Sequence, residues 1–177
     1  YSAFTTRSAL AVSTTQKRTG AYSGLLSNDQ GSNRVGIGSG KTELYTRCAA
    51  YITGGYGGGQ NRGVIFYLAD SAGATQVCVS WTLSSTKIAV HLGNMTNSPV
   101  ITSTNNFPIN TWNCIELYCL LDNVSGVLTL KVNGVQEGST YNGDTRYTAI
   151  EGADAFGIGA CDGLLVASGY YDDIAIN

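Results

Sequence analysis

The sequence predicts an all-β protein: an antiparallel two-sheet β-sandwich of jelly-roll type. Three observations carry this prediction. Apolar residues recur at every second position in roughly a dozen short segments, the alternation of strands with one buried face. Gly, Asn, Ser and Asp fill the gaps between those segments. No stretch repeats apolar residues at i, i+3, i+4 and i+7 for long enough to make an extended helix.

Strands are expected over 9–13, 21–26, 34–38, 42–53, 63–70, 75–83, 86–92, 99–102, 112–122, 126–133, 154–160 and 170–176. The most informative stretch runs from Asn110 to Gly134. Ile115, Leu117, Cys119 and Leu121 fall on one side of its first strand, and Leu128, Leu130 and Val132 on one side of its second. Asn133-Gly134 suits the φ > 0 reversal that closes a hairpin. Over 42–53, Leu44, Thr46, Cys48, Ala50 and Ile52 share one side, while Glu43, Tyr45, Arg47 and Tyr51 share the other. Val64, Phe66 and Leu68 alternate in the same way, as do Ile88, Val90 and Leu92. Trp81 has the parity of Val77 and Val79 and is expected in the core. Trp112 opens its strand and is expected to pack. The glycine-rich run Thr53 to Gly63 is the longest loop and the place for variable surface chemistry.

The 177 residues fit a single domain, 1–177. Charged residues make up 12% and the net charge is −2, with no basic cluster. That argues against nucleic-acid binding through phosphate neutralisation. No apolar run approaches the roughly 18 residues of a membrane span, so no membrane insertion is expected. No signal peptide is recognised, and the start at Tyr1 predicts a native N-terminus that was trimmed or is longer. A surface of Ser, Thr, Asn, Gly and Tyr suits an extracellular or particle-borne protein. The five cysteines are an odd number and read as small buried hydrophobes. Cys114 and Cys119 lie on opposite faces of one strand and cannot bridge there. His91, the single histidine, cannot complete a zinc site and is expected on the surface.

The strongest chemical content is an aromatic display. Tyr45, Arg47 and Tyr51 line one sheet face, and Tyr56, Gln60, Asn61 and Arg62 sit on the glycine-rich loop. Sugars offer C–H faces that stack on tyrosine and hydroxyls that need amides and charged groups, so this set could hold a glycan. The same residue types are enriched where proteins meet, so a neighbouring subunit fits equally well. Gly36 to Thr42 lacks the first glycine of a phosphate loop, since Val35 stands there, and it runs into a strand. No Gly-x-Ser-x-Gly elbow occurs. Glu116 is expected to face Lys131 across the hairpin.

Several motifs in order resemble concanavalin A-like lectin/glucanase domains, including their laminin-G-like relatives. They are Gly20 to Leu26, Glu43-Leu-Tyr-Thr-Arg47, Val64 to Leu68, Thr111-Trp112 with Ile115-Glu116, Gly126 to Gly134, and Tyr170-Tyr-Asp-Asp-Ile174. The resemblance covers nearly the whole chain. It implies a jelly roll and a family spanning lectins, glycosidases, adhesion modules and structural proteins of phage particles. Its enzymes carry two carboxylates on one strand as Glu-x-Asp-x-Glu or a close variant. Here Glu43, Glu116, Glu137 and Glu151 form no such pattern, so no catalytic residue is assigned. Its relatives often hold a structural calcium with an Asp of the last strand, which implies Asp172 or Asp173.

The expectation is a non-catalytic recognition or structural module on a particle surface, a virion capsid, fibre or tail protein with glycan binding. A secreted carbohydrate-binding lectin module and a divergent glycoside hydrolase remain as alternatives. The expected partners are other copies of the chain, other virion proteins or a cell-surface glycan.

Overall fold

A computed structural model describes residues 10–27, 32–54, 62–162 and 167–177. In chain order the strands are β1 (Ala11–Ser13), β2 (Ser23–Leu26), β3 (Ser32–Lys41), β4 (Glu43–Gly54), β5 (Arg62–Ala69), β6 (Thr75–Thr82), β7 (Lys87–Leu92), β8 (Pro99–Thr102), β9 (Trp112–Leu120), β10 (Gly126–Val132), β11 (Val135–Gln136), β12 (Tyr141–Gly143), β13 (Ala153–Gly159) and β14 (Ser168–Ile176). No helix occurs among the described residues. One sheet runs β1-β2-β14-β4-β9-β10-β11, with β12 also on β10; the other runs β3-β13-β5-β6-β7-β8. Every pairing is antiparallel. The protein is therefore the all-β two-sheet sandwich that the alternation predicted.

In the larger sheet β9 and β10 keep period two. In β9 and β10, Ile115, Leu117, Cys119, Leu128, Leu130 and Val132 are buried while their neighbours are half-buried or exposed. Leu44, Cys48, Ala50 and Ile52 of β4 join them. From the other sheet, Phe66, Leu68, Val77, Val79, Trp81, Ile88, Val90, Phe156 and Ile158 close the same core. Phe66 and Phe156 pack at 5.4 Å between ring centroids. Trp81 donates its indole N–H to the Phe107 carbonyl at 2.9 Å, which satisfies its one polar atom.

Asn133 (φ 53°) and Gly134 (φ 81°) both have positive φ. They make the expected two-residue reversal, joining β10 to β11 through the Val132–Val135 pair. The reversal between β9 and β10 is held by Asp122, whose Oδ1 accepts the N–H groups of Val124 (2.8 Å) and Ser125 (2.7 Å). The stretch Gly36 to Lys41 is part of the edge strand β3.

The six-stranded sheet departs from the expected one-sided pattern. β5 is buried at every position after Arg62, and β6 at every position before Thr82. Its outer face carries a second apolar cluster of Val64, Tyr67, Ala69, Cys78, Met95 and Cys161. Irregular segments lie over that face. Buried Gln76 binds 147–152: its Oε1 accepts the N–H groups of Tyr147 (2.9 Å) and Thr148 (3.1 Å), and its Nε2 donates to the carbonyl of Ile150 (2.6 Å). His91 is consequently not a surface residue. It is buried, with Nε2 2.8 Å from Ser80 Oγ and Nδ1 2.8 Å from the Asn97 carbonyl.

Candidate recognition face

Because the outer face of the six-stranded sheet is covered, the exposed sheet surface belongs to the larger one. Alternation in β4 turns Tyr45, Arg47 and Tyr51 outward. Register then places Tyr45 opposite Tyr118, Arg47 opposite Glu116 and Tyr51 opposite Trp112, while Tyr170 of β14 lies opposite Tyr51. On the far side of β9, Lys131 faces Glu116 and Thr129 faces Tyr118.

The rings fall into two groups. Tyr45 and Tyr118 stand 4.7 Å apart at 39°. Tyr51 meets Trp112 at 5.6 Å and the edge of Tyr170 at 6.0 Å. Between these groups runs the row Arg47–Glu116–Lys131. Among the described residues neither cation of that row makes an ion pair within 4.0 Å, so both reach toward solvent. Tyr45 is 56% exposed, unusually open for a tyrosine in mid-strand. Beside it lies a depression of about 320 Å³, lined among others by Arg47, Glu116, Tyr118, Thr129 and Lys131. Its walls combine an aromatic plane with charged and hydroxyl groups.

The nine residues named from the sequence fare unevenly. Tyr45, Arg47 and Tyr51 are brought together on this face. Tyr56, Gln60 and Asn61 lie outside the described residues. Arg62 starts β5 in the opposite sheet, and its Nη1 donates to the Met95 carbonyl at 2.9 Å, which holds a loop rather than extending the face. Tyr170 escaped the sequence reading. Its parity relative to buried Tyr171 was the available signal, but only the β14–β4 register puts it beside Tyr51.

Asp172 and Asp173 do not face opposite ways as plain alternation predicts. The register shifts between Asp172 and Ala175, and Asp173 has φ 47°. This bulge turns both carboxylates onto the segment before β2. Asp172 Oδ2 accepts the N–H groups of Arg18 (3.0 Å) and Thr19 (3.1 Å). Asp173 accepts the Thr19 hydroxyl and pairs with the Arg18 guanidinium at 2.6 Å. The Thr19 bond first, then Arg18, hold Asp173 below the usual carboxylate range, against the opposing effect of burial. Calcium needs six to eight oxygen ligands. This pair spends its oxygens on a cation and backbone donors, and no third acidic, cysteine or histidine ligand joins it among the described residues. The arrangement does not fit the ion.

A larger cavity, about 650 Å³, opens beside these aspartates, but Leu10, Val12, Val35, Ile158, Ile174 and Ile176 line much of it. Such walls give a sugar few hydrogen-bonding partners. Two glutamates stand on the exposed face. Glu43 lies opposite Leu120 and Glu116 opposite Arg47, four residues further along. At about 3.3 Å per residue their backbone positions are offset by about 13 Å along the strands, and Glu43 Oε1 accepts the Tyr118 hydroxyl at 3.1 Å.

No family model and no curated protein sequence matches the chain. Solved structures do. The native heptameric SAP-like pentraxin of Limulus polyphemus aligns with TM-score 0.58 and 18% identity, covering 82% of this chain and 68% of that one. The Trypanosoma rangeli sialidase in complex with the inhibitor DANA aligns with TM-score 0.63 and 11% identity, over 94% of this chain but 27% of the sialidase. The alginate lyase Aly36B aligns with TM-score 0.52 and 12% identity, covering 88% of this chain and 82% of the lyase. The chain thus spans about a quarter of the length of the sialidase. These likenesses define the fold as a concanavalin A-like jelly roll.

Proposed function

We propose that the chain is a non-catalytic recognition module that binds a saccharide on the outer face of its larger sheet. The observation that carries this reading is the exposed array of Tyr45, Tyr118, Tyr51, Trp112 and Tyr170 around the polar row Arg47–Glu116–Lys131. Flat rings suit the C–H faces of sugar rings, and the row between them supplies hydrogen-bond donors and acceptors for hydroxyls. Half-burial fixes most of these rings in advance, so little side-chain entropy is lost on binding.

Two features support a non-catalytic reading. Glu43 and Glu116 stand on neighbouring strands four residues out of register, with no Glu-x-Asp-x-Glu strand in the sequence, and the Ser80–His91 pair is buried in the opposite sheet. Placement on a virion surface rests on the sequence alone: low charge and motif wording suggest it, and no comparison bears on it. An extracellular setting accords with the composition and with the pentraxin-like fold.

Incubation with panels of neutral and acidic oligosaccharides tests the reading, with binding followed by calorimetry and products by chromatography. Saturable binding without new reducing ends or unsaturated products is expected. Turnover abolished by one carboxylate substitution would replace this reading with an enzymatic one. If light scattering instead shows an oligomer that Tyr45→Arg dissociates, the face is a contact between copies.

A further inference from the structure

The depression beside Tyr45 has an uneven balance of charge. Its lining includes two cations, Arg47 and Lys131, and one carboxylate, Glu116. The chain as a whole carries −2, so this positive surplus is local to the site. Register fixes where the three groups stand. Arg47 of β4, Glu116 of β9 and Lys131 of β10 form one row across the sheet, each directly opposite the next. Adjacent strands lie about 4.8 Å apart, so the backbones of the two cations are about 10 Å apart, one on each side of Glu116.

Opposite charges placed this way would ordinarily pair. Glu116 nevertheless lies more than 4.0 Å from either cation. The other carboxylates nearby are already engaged. Glu43 Oε1 accepts the Tyr118 hydroxyl at 3.1 Å, and Asp173 of β14 pairs with Arg18 at 2.6 Å. Asn177, also at the lining, uses its backbone N–H and carbonyl on Tyr45, at 3.0 Å each. Arg47 and Lys131 are both exposed, so their donors are open to a molecule entering the depression.

The chemistry of those donors selects the ligand. A guanidinium presents a planar fork that matches a carboxylate with two parallel bonds, and an ammonium adds a point charge. The Tyr45 and Tyr118 rings, 4.7 Å apart, form the aromatic wall beside them, and Thr129 contributes a hydroxyl. A neutral sugar lying here would cover two cations and compensate neither, at a cost in desolvation. A sugar ring that carries its own carboxylate meets the wall and the cations together. We propose that the depression is a site for acidic saccharides, in which Arg47 and Lys131 hold the carboxylate of a sugar ring stacked on Tyr45 and Tyr118. This rests on the saccharide reading above and narrows it to carboxylated sugars.

Calorimetric titration with oligogalacturonate, oligomannuronate and sialyllactose, each beside its carboxyl-reduced form, tests the proposal on the wild-type chain, Arg47→Gln and Lys131→Gln. At least one acidic probe should bind saturably, about tenfold or more tighter than its reduced form. Arg47→Gln should remove most of that preference and Lys131→Gln part of it, at unchanged melting temperature. The reduced forms should bind both variants as they bind the wild type. Equal affinity for acidic and reduced forms, binding confined to neutral sugars, or a preference that survives Arg47→Gln overturns the acidic site and leaves the saccharide reading standing. Absence of binding to every acidic, reduced and neutral probe overturns both.

Discussion

Ser80 Oγ lies 2.8 Å from Nε2 of His91, and the other ring nitrogen meets the Asn97 carbonyl at 2.8 Å. A hydroxyl on a histidine is half of a nucleophilic site, but both residues are buried and the histidine serves as a neutral bridge between strands and loop.

That bridge carries a pH signature. Burial pushes the His91 pKa below its ordinary 6.5, against the Asn97 carbonyl, which favours the charged ring; nearby Arg62 also lowers it. The unfolded chain takes up the proton first as pH falls through about 6.5, so stability declines until the folded pKa is reached. His91 is the single histidine. The urea midpoint should fall as pH drops below about 6.5, and His91→Gln should flatten this part of the profile.

Gly157 has no room for a side chain. A Cβ there would come within 2.2 Å of the ring of Tyr67, a fully buried residue whose hydroxyl accepts the Arg34 Nε–H at 2.9 Å. Gly157→Ala should destabilise by about 1–3 kcal/mol. Gly36 is the contrast, with nothing within 4 Å of a built Cβ. Gly36→Ala should be neutral or slightly stabilising. Thermal melts of the two variants side by side check both.

Glu137 is a buried acid with a structural task. Its Oε2 accepts the N–H groups of Thr104 and Asn105 at 2.9 Å each, and its Oε1 accepts the Asn105 amide at 2.7 Å. Burial would raise its pKa, but these three bonds together outweigh it and leave the group below 4.5. Its contribution is therefore present above that value and is lost as pH falls through the folded pKa. Glu137→Leu strands three donors and should cost about 1–3 kcal/mol by urea denaturation, with Glu137→Gln costing less.

The Arg18–Asp173 pair leads to a further expectation. Since the Asp172 and Asp173 oxygens are engaged by Arg18 and Thr19, chelator should leave the melting temperature unchanged. A rise on adding calcium, abolished by Asp173→Asn, would show that the ion displaces Arg18.

The centre of the larger sheet was legible in the sequence because β9 and β10, and β4 up to Cys48, alternate between a buried and a solvated face. Tyr45, Arg47, Glu116 and Lys131 could therefore be placed by parity alone. The six-stranded sheet was less legible because loops far away in sequence bury its second face. Once Gln76 anchors 147–152, the parity that put His91 outside no longer means exposure. Alternation fails at Asp172 and Asp173 for a local reason: the positive φ of Asp173 interrupts it without a glycine to announce it. The short strands β11 and β12 show no alternation and are held by pairing with β10.

A glycan array probed with the wild-type chain, Tyr45→Ala, Tyr51→Ala and Arg62→Ala tests the central claim most directly. The account predicts saturable binding that weakens at least about tenfold, about 1.4 kcal/mol, in both tyrosine variants at unchanged melting temperature, while Arg62→Ala binds as the wild type does. Binding that survives loss of both tyrosines, or no saturable binding to any glycan, would contradict it.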